Sequence, residues 1–262
     1  MSAEPVTFER AGAVAKIRFN RPEVLNALDT ASGKALLEIC QKLEMDRETR
    51  VVVISGAGRA FMAGGDVAEF GGELAARTAR IDGLIADLHA SIEILTKLQS
   101  PVIASVHGAV AGAGVSITLA ADLAIAADNS IFNLAYAKLG ASPDGSSSWC
   151  LPRIVGVRKA LEIAMLSENV AVSEALRLGL VNRVVPAGAL EAETAALANR
   201  LASGPTFALG RIKHLMRTSQ ERTLHDQLEE ERRSFLACNR TNDFEVGVSS
   251  FLQKKAAVFR GT

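Results

Sequence analysis

The chain has 262 residues, 48% of them hydrophobic, enough to bury one large core or a core with a smaller appendage. Lysine plus arginine equals aspartate plus glutamate at 29 each, so no net field draws it to nucleic acid or to an anionic membrane. Cys40, Cys150 and Cys238 fit no metal or redox spacing, residues 1–10 lack a signal-peptide pattern, and no apolar run approaches the ~20 residues of a membrane span, so a cytoplasmic setting is expected.

In chain order, residues 6–10 and 14–19 read as two short strands with Ala11-Gly12 as their turn. Asp29 or Thr30 then caps a helix whose apolar positions, Leu36, Leu37, Ile39, Cys40 and Leu43, recur at helical spacing. A buried strand over 51–55 leads to a small-residue segment, a mobile-looking stretch at 69–77 and a long helix over 79–98. Further buried strands follow over 102–106 and 123–126. This alternation predicts an α/β fold built as a right-handed β-α-β array. Beyond residue 158 the pattern is helical (158–166, 173–178, 189–203, 205–217, 221–239 and 242–254), interrupted by one strand over 180–185.

Two segments stand out for chemistry. Phe61-Met62-Ala63-Gly64-Gly65-Asp66-Val67 follows the strand over 51–55, and His107-Gly108-Ala109-Val110-Ala111-Gly112-Ala113-Gly114 follows the strand over 102–106. Both put glycine and alanine where the chain turns, which lets bare N–H groups approach a ligand closely. Two such donors aimed at one point make an oxyanion hole, which stabilises charge developing on a carbonyl oxygen. Either segment alone reads better as a tight strand-to-helix turn. Neither matches a dinucleotide fingerprint or a P-loop.

The pair in this order resembles the crotonase (enoyl-CoA hydratase/isomerase) superfamily. So do Asn20-Arg21-Pro22-Glu23-Val24-Leu25-Asn26-Ala27-Leu28, Leu151-Pro152-Arg153-Ile154-Val155-Gly156, and residues 175–185. The resemblance implies a ClpP-like β-β-α superhelix core over 1–200 and a C-terminal helical trimerisation region over 201–262. It implies a homotrimer or dimer of trimers whose last helices cover the active site. It also implies an acyl-CoA substrate, with coenzyme A bound as part of the thioester rather than as a resident cofactor. The two oxyanion amides are then those of Gly65 and Ala113; an alanine keeps the donor if its φ is negative. Val24, Leu25 and Ala27 are expected to wall the coenzyme A arm, completed by Ala63, Gly64, Asp66 and Val67. Lys255 or Arg260 either reaches its phosphate, within the chain or across a subunit boundary, or is an ordinary surface residue; Phe259 resembles the terminal aromatic that lies over the site in relatives.

Family hydratases use two glutamates, at positions that here hold Ser116 and Tyr136. Hydration needs a base for water and an acid for carbon, which a hydroxyl pair supplies poorly near neutral pH. Asp144, in a Pro-Asp-Gly turn before a serine-rich helix start, reads locally as a helix cap. In the double-bond isomerases of the superfamily the sole catalytic carboxylate stands in this turn. The resemblance therefore favours isomerisation of an enoyl-CoA, with Asp144 as acid/base. His89 and Tyr136 match, in residue type, the base and the aromatic of the superfamily's dehalogenases. His89 could instead be a packed helix residue, act on water, or orient Asp144; Tyr136 could be a core aromatic or line the acyl pocket. Two other readings stand beside isomerisation: a hydratase- or hydrolase-like enzyme using His89 and Asp144 on water, and a non-catalytic acyl-CoA binding protein. No side-chain cluster has metal-ligand spacing.

Overall fold

A computed structural model describes residues 4–262. Its strands are β1 (Val6–Ala11), β2 (Val14–Phe19), β3 (Val51–Gly56), β4 (Val102–Val106), β5 (Ala109–Ala111), β6 (Leu123–Ala127), β7 (Ile131–Asn133), β8 (Val170–Ala171) and β9 (Arg183–Val185). Its α-helices are α1 (Thr30–Met45), α2 (Leu74–Lys97), α3 (Ala113–Ala120), α4 (Ser147–Val155) and α5 (Val157–Leu166), then α6 (Val172–Leu178), α7 (Leu190–Ala202), α8 (Thr206–Thr218), α9 (Leu224–Cys238) and α10 (Asn242–Leu252).

The main sheet has the order β1-β2-β3-β4-β6-β9, antiparallel only in the first hairpin. Ala11 pairs with Val14, so the hairpin turns at Gly12-Ala13, one residue later than expected. Continuous burial of β3 and β4 follows from cover on both faces. Val52, Ile54, Val102 and Ala104 share a core with Leu36, Ile39 and Leu43 of α1 and Leu84, Leu88, Ile92 and Leu95 of α2. Val51, Val53 and Ile103 face the other way, onto Ala198 and Ala202 of α7. Each such valine, leucine or isoleucine, fully buried, contributes about 1.5–3 kcal/mol before conformational entropy is charged against it.

Three expectations need correction. The stretch at 69–77, expected as an open loop, makes specific contacts before and within its course. Residues Val67–Phe70 form a 3-10 turn, the Glu69 carboxylate accepts from the N–H and hydroxyl of Thr30, and the Arg80 guanidinium donates to the carbonyls of Glu69 and Gly71. Glu73 caps α2 by accepting from the N–H groups of Ala75 and Ala76, so that helix starts at Leu74 rather than at 79. The strand expected over 180–185 shortens to β9, because Leu180 closes α6 with a bond to the Ala175 carbonyl and Asn182 pairs with Ala124. A second sheet, β5-β7-β8, was not anticipated; its strands are too short to carry a period.

The C-terminal helices are anchored to the sheet from within the same chain. They dock at the edge of the sheet where β3, β4 and β6 begin. Arg50, just before β3, donates to the Thr206 hydroxyl at 2.8 Å and to the Gly204 carbonyl. Asp122, just before β6, takes Lys213 at 2.8 Å and Arg217 at 2.8 Å. Burial pushes the Lys213 ammonium below the ordinary lysine range, against the pull of Asp122. The tail closes on the same edge. Arg50 reaches the Phe259 carbonyl, and the N–H groups of Arg260 and Gly261 each donate to the buried Asp243 carboxylate at 2.7 Å. Within one protomer, Phe259 and Arg260 therefore lie at the edge opposite the bends described next.

Candidate active site

The two small-residue segments leave the carboxyl ends of β3 and β4, where ligands bind in open α/β sheets. They run side by side. The Phe61 N–H donates to the His107 carbonyl at 2.8 Å, Met62 to Ala109 at 3.1 Å, and Ala111 back to Met62 at 2.8 Å. The segment over 24–28 joins from the other flank: Ala63 donates to Leu25 at 3.0 Å, Leu28 to Gly64 at 2.7 Å, and Asp66 to Leu28 at 2.8 Å. Gly64 and Gly112 take φ 102° and 48°, and a Cβ on Gly112 would lie 3.2 Å from the Gly64 Cα. A side chain at either point would strain its own backbone and push the bends apart.

The next residue in each bend is the expected donor. The Gly65 and Ala113 N–H groups have no hydrogen-bond acceptor among the described residues. Ala113 opens α3, whose first-turn N–H groups are left unpaired by helix geometry, and its φ is not in the left-handed region. The alanine therefore costs the bend nothing. Gly65 faces the ring of Phe70, which would stand 2.7 Å from a Cβ placed there.

Asn26 and Arg21 bind this corner together, and no sequence period marked either. The Asn26 amide donates to the carbonyls of Ala57 at 2.9 Å and Ala60 at 2.8 Å, while its oxygen accepts from the Arg21 N–H at 2.9 Å. The Arg21 guanidinium donates to the Ala27 carbonyl at 2.7 Å and pairs with Asp66 at 3.0 Å and Asp29 at 3.1 Å. Asp66 also caps its 3-10 turn by accepting from the Ala68 N–H. Of the residues expected to wall coenzyme A, Val24 and Val67 are 38% and 56% exposed, and Ala27 is buried.

The Asp144 turn lies against α3. Its side chain does not cap α4; the cap position is Ser146, without a side-chain bond. The Tyr136 hydroxyl instead donates to Asp144 Oδ1 at 2.5 Å, and Oδ2 has no donor among the described residues. Burial first, and then the Asp144 carboxylate, push the Tyr136 hydroxyl above the ordinary tyrosine range, so it remains a donor. Ser116, fully buried on α3, approaches the Gly112 carbonyl at 3.3 Å, the Tyr136 oxygen at 3.3 Å and the Asp144 carbonyl at 3.1 Å. One serine thus ties the second bend to the Asp144 turn. His89, on α2, reaches the same turn: its Nε2 accepts the Gly145 N–H at 3.1 Å. His107 and His214 lie elsewhere, bonded to the Gly58 carbonyl and beside Glu230. A cleft of about 500 Å³ lined by Pro101, Trp149, Ile212 and Met216 belongs to the opposite edge of the sheet.

Residues 9–262 match the family model described as enoyl-CoA hydratase/isomerase. The chain belongs to that family. Among relatives of this enoyl-CoA hydratase/isomerase family member, a 1,2-epoxyphenylacetyl-CoA isomerase of Escherichia coli is 35% identical over 256 residues, 95% of each chain. A Rhodobacter capsulatus protein named as a probable enoyl-CoA hydratase is 34% identical over the whole of both chains. The crystal structure of an enoyl-CoA hydratase from Bacillus anthracis superposes with a TM-score of 0.92 at 28% identity, covering 98% of this chain and 100% of the other. The family and its crotonase fold are thereby shown, while relatives named for different reactions leave the reaction itself to the residues of the site.

Proposed function

We propose that this chain moves a carbon–carbon double bond within an enoyl-CoA thioester, with Asp144 as the single acid/base. The observation that carries the reading is the state of the Asp144 carboxylate: one oxygen is fixed by Tyr136, and the other has no donor among the described residues. A carboxylate so arranged can accept a proton in a defined direction.

The Asp144 Oδ2 takes a proton from the carbon next to the thioester carbonyl. The C–H electron pair becomes a carbon–carbon π bond, and the carbonyl π pair moves onto the thioester oxygen. The N–H groups of Gly65 and Ala113, one from each bend and neither spent on an acceptor among the described residues, stabilise that oxyanion. Asp144, now the acid, returns the proton to the far end of the conjugated dienolate, and the double bond ends beside the carbonyl. No water enters the balance. This suits a site that holds Ser116 and Tyr136 where a hydratase needs two carboxylates. Coenzyme A is written as part of the substrate, along the wall formed by Val24, Leu25, Ala27 and residues 63–67.

The exposed apolar side chains of the last helices support self-association as a trimer or dimer of trimers; Leu224, Phe251 and Leu252 are 75%, 83% and 75% exposed in the single chain. Light scattering of the purified protein should return three or six chain masses. The deciding chemical test incubates the protein with a β,γ-enoyl-CoA in deuterated water and follows it by NMR. Deuterium should enter the α and γ positions as the double bond migrates. Hydration without migration would reject isomerisation, and binding without exchange would leave only a thioester-binding protein.

A further inference from the structure

The turn bearing Asp144 has an unusual backbone. Gly145 and Ser146 take φ 56° and 70°, two successive residues in the left-handed region. Such a conformation persists only where the surroundings hold it. Here the Asp144 carbonyl accepts from the hydroxyls of Ser116 at 3.1 Å and Ser147 at 2.8 Å and from the Ser147 N–H at 3.1 Å. A Cβ on Gly145 would meet the Ser116 Cβ at 2.8 Å and the Leu88 Cδ2 at 3.3 Å. The Gly145 N–H of the turn donates to His89 Nε2 at 3.1 Å. Leu88 and His89 therefore press one strained turn from adjacent positions on α2.

A ring nitrogen that accepts an N–H bond carries no proton, and its lone pair is already committed. From this geometry we infer that His89 is a positioning residue: its Nε2 fixes the Gly145 amide, and so the direction of the Asp144 carboxylate, without itself exchanging protons with substrate or water. The inference rests on the reading of Asp144 as the acid/base. It replaces the view of His89 as a second catalytic base.

Glutamine separates the two roles, because its Oε1 can accept the same N–H from a similar reach but cannot titrate. The full-length protein and its His89→Ala, His89→Gln and Asp144→Asn variants are assayed for enoyl-CoA isomerisation, with circular dichroism checking the fold. His89→Ala should lower kcat by roughly 10- to 100-fold with KM nearly unchanged, the loss expected of a displaced reacting group. His89→Gln should recover kcat to within a few-fold of the parent. Amide hydrogen exchange over 141–147 should rise in His89→Ala and return in His89→Gln, a readout that needs no turnover. If His89→Gln is folded and as slow as His89→Ala while Asp144→Asn is inactive, the imidazole is moving protons and the inference falls alone. Full kcat in His89→Ala overturns it as well. An active Asp144→Asn variant instead removes the reading on which it stands.

Discussion

Tyr136 and Asp144 form one unit: the phenol donates to Oδ1 at 2.5 Å, and Oδ2 is left without a donor among the described residues. The pair joins a short 3-10 turn, Tyr136–Leu139, to the loop before α4, and Ser116 carries the connection on to the Gly112 carbonyl. Since Tyr136 gives its proton to Asp144, its oxygen competes with the Asp144 and Gly112 carbonyls for the single Ser116 hydroxyl proton.

Asp144→Asn keeps the shape and much of the hydrogen bonding of the turn and removes the basic oxygen. Turnover of an enoyl-CoA should fall by roughly 10²–10⁴-fold, the usual worth of a positioned acid/base, while acyl-CoA affinity stays close to that of the parent. Steady-state kinetics beside calorimetric binding read both. A kcat within a few-fold of the parent would remove Asp144 from the mechanism.

Tyr136 is the only tyrosine in the chain, so its ionisation can be followed directly by absorbance near 295 nm. Burial and the neighbouring carboxylate raise its pKa in the folded protein. The native chain should therefore show no tyrosinate until well above pH 10, whereas the chain in denaturant should titrate near ~10. The sign for stability follows. A raised folded value means the stabilisation is complete below the unfolded pKa and declines as pH climbs above it. A native midpoint at the ordinary value would disprove the buried contact.

The Gly65 amide can be tested by a pair of variants. Gly65→Ala adds a Cβ against the Phe70 ring but keeps the N–H; Gly65→Pro adds bulk and removes the N–H. That N–H has no acceptor among the described residues, so proline breaks no backbone bond in the resting protein. Relative to alanine, proline should lower kcat by about 10²–10³-fold, or ~2.7–4 kcal/mol. Equal kinetics in the two variants, with intact circular dichroism, would exclude Gly65 as a donor.

Arg21 is a structural prediction. Its half-buried guanidinium serves the Ala27 carbonyl, Asp29 and Asp66 at once. Arg21→Met should cost about 1.5–3 kcal/mol, the range for a hydrogen bond to a charged group, by urea unfolding of an otherwise folded protein. A change within ~0.5 kcal/mol, the scatter of ordinary surface substitutions, would make the cluster a surface ornament without energetic weight.

What a reader of the sequence can see here follows from where each signal is stored. The faces of α1 and α2 and the unbroken burial of β3 and β4 are local patterns, and they name the fold class correctly. The two bends are legible because positive φ at Gly64 and Gly112, and a Gly64 Cα only 3.2 Å from where a Gly112 Cβ would sit, favour glycine, a restriction written in composition. The small sheet of β5, β7 and β8 was not legible, since two or three residues cannot express a period. Nor were the contacts of 69–77, since Thr30, which holds Glu69, is 39 residues away and the Arg80 bonds depend on how the chain turns into α2.

The candidate site divides the same way. Sequence by itself determined the family, the two small-residue bends and a carboxylate in a Pro-Asp-Gly turn, because each is a restriction on residue type at one place. Only the tertiary structure decided what that carboxylate does with its two oxygens, that Ser116 links it to the second bend, that His89 meets a backbone amide, and that the C-terminal tail docks at the far edge of the sheet. Those are relations between residues distant in the chain, set by packing and by the directions of individual hydrogen bonds, which no local pattern encodes.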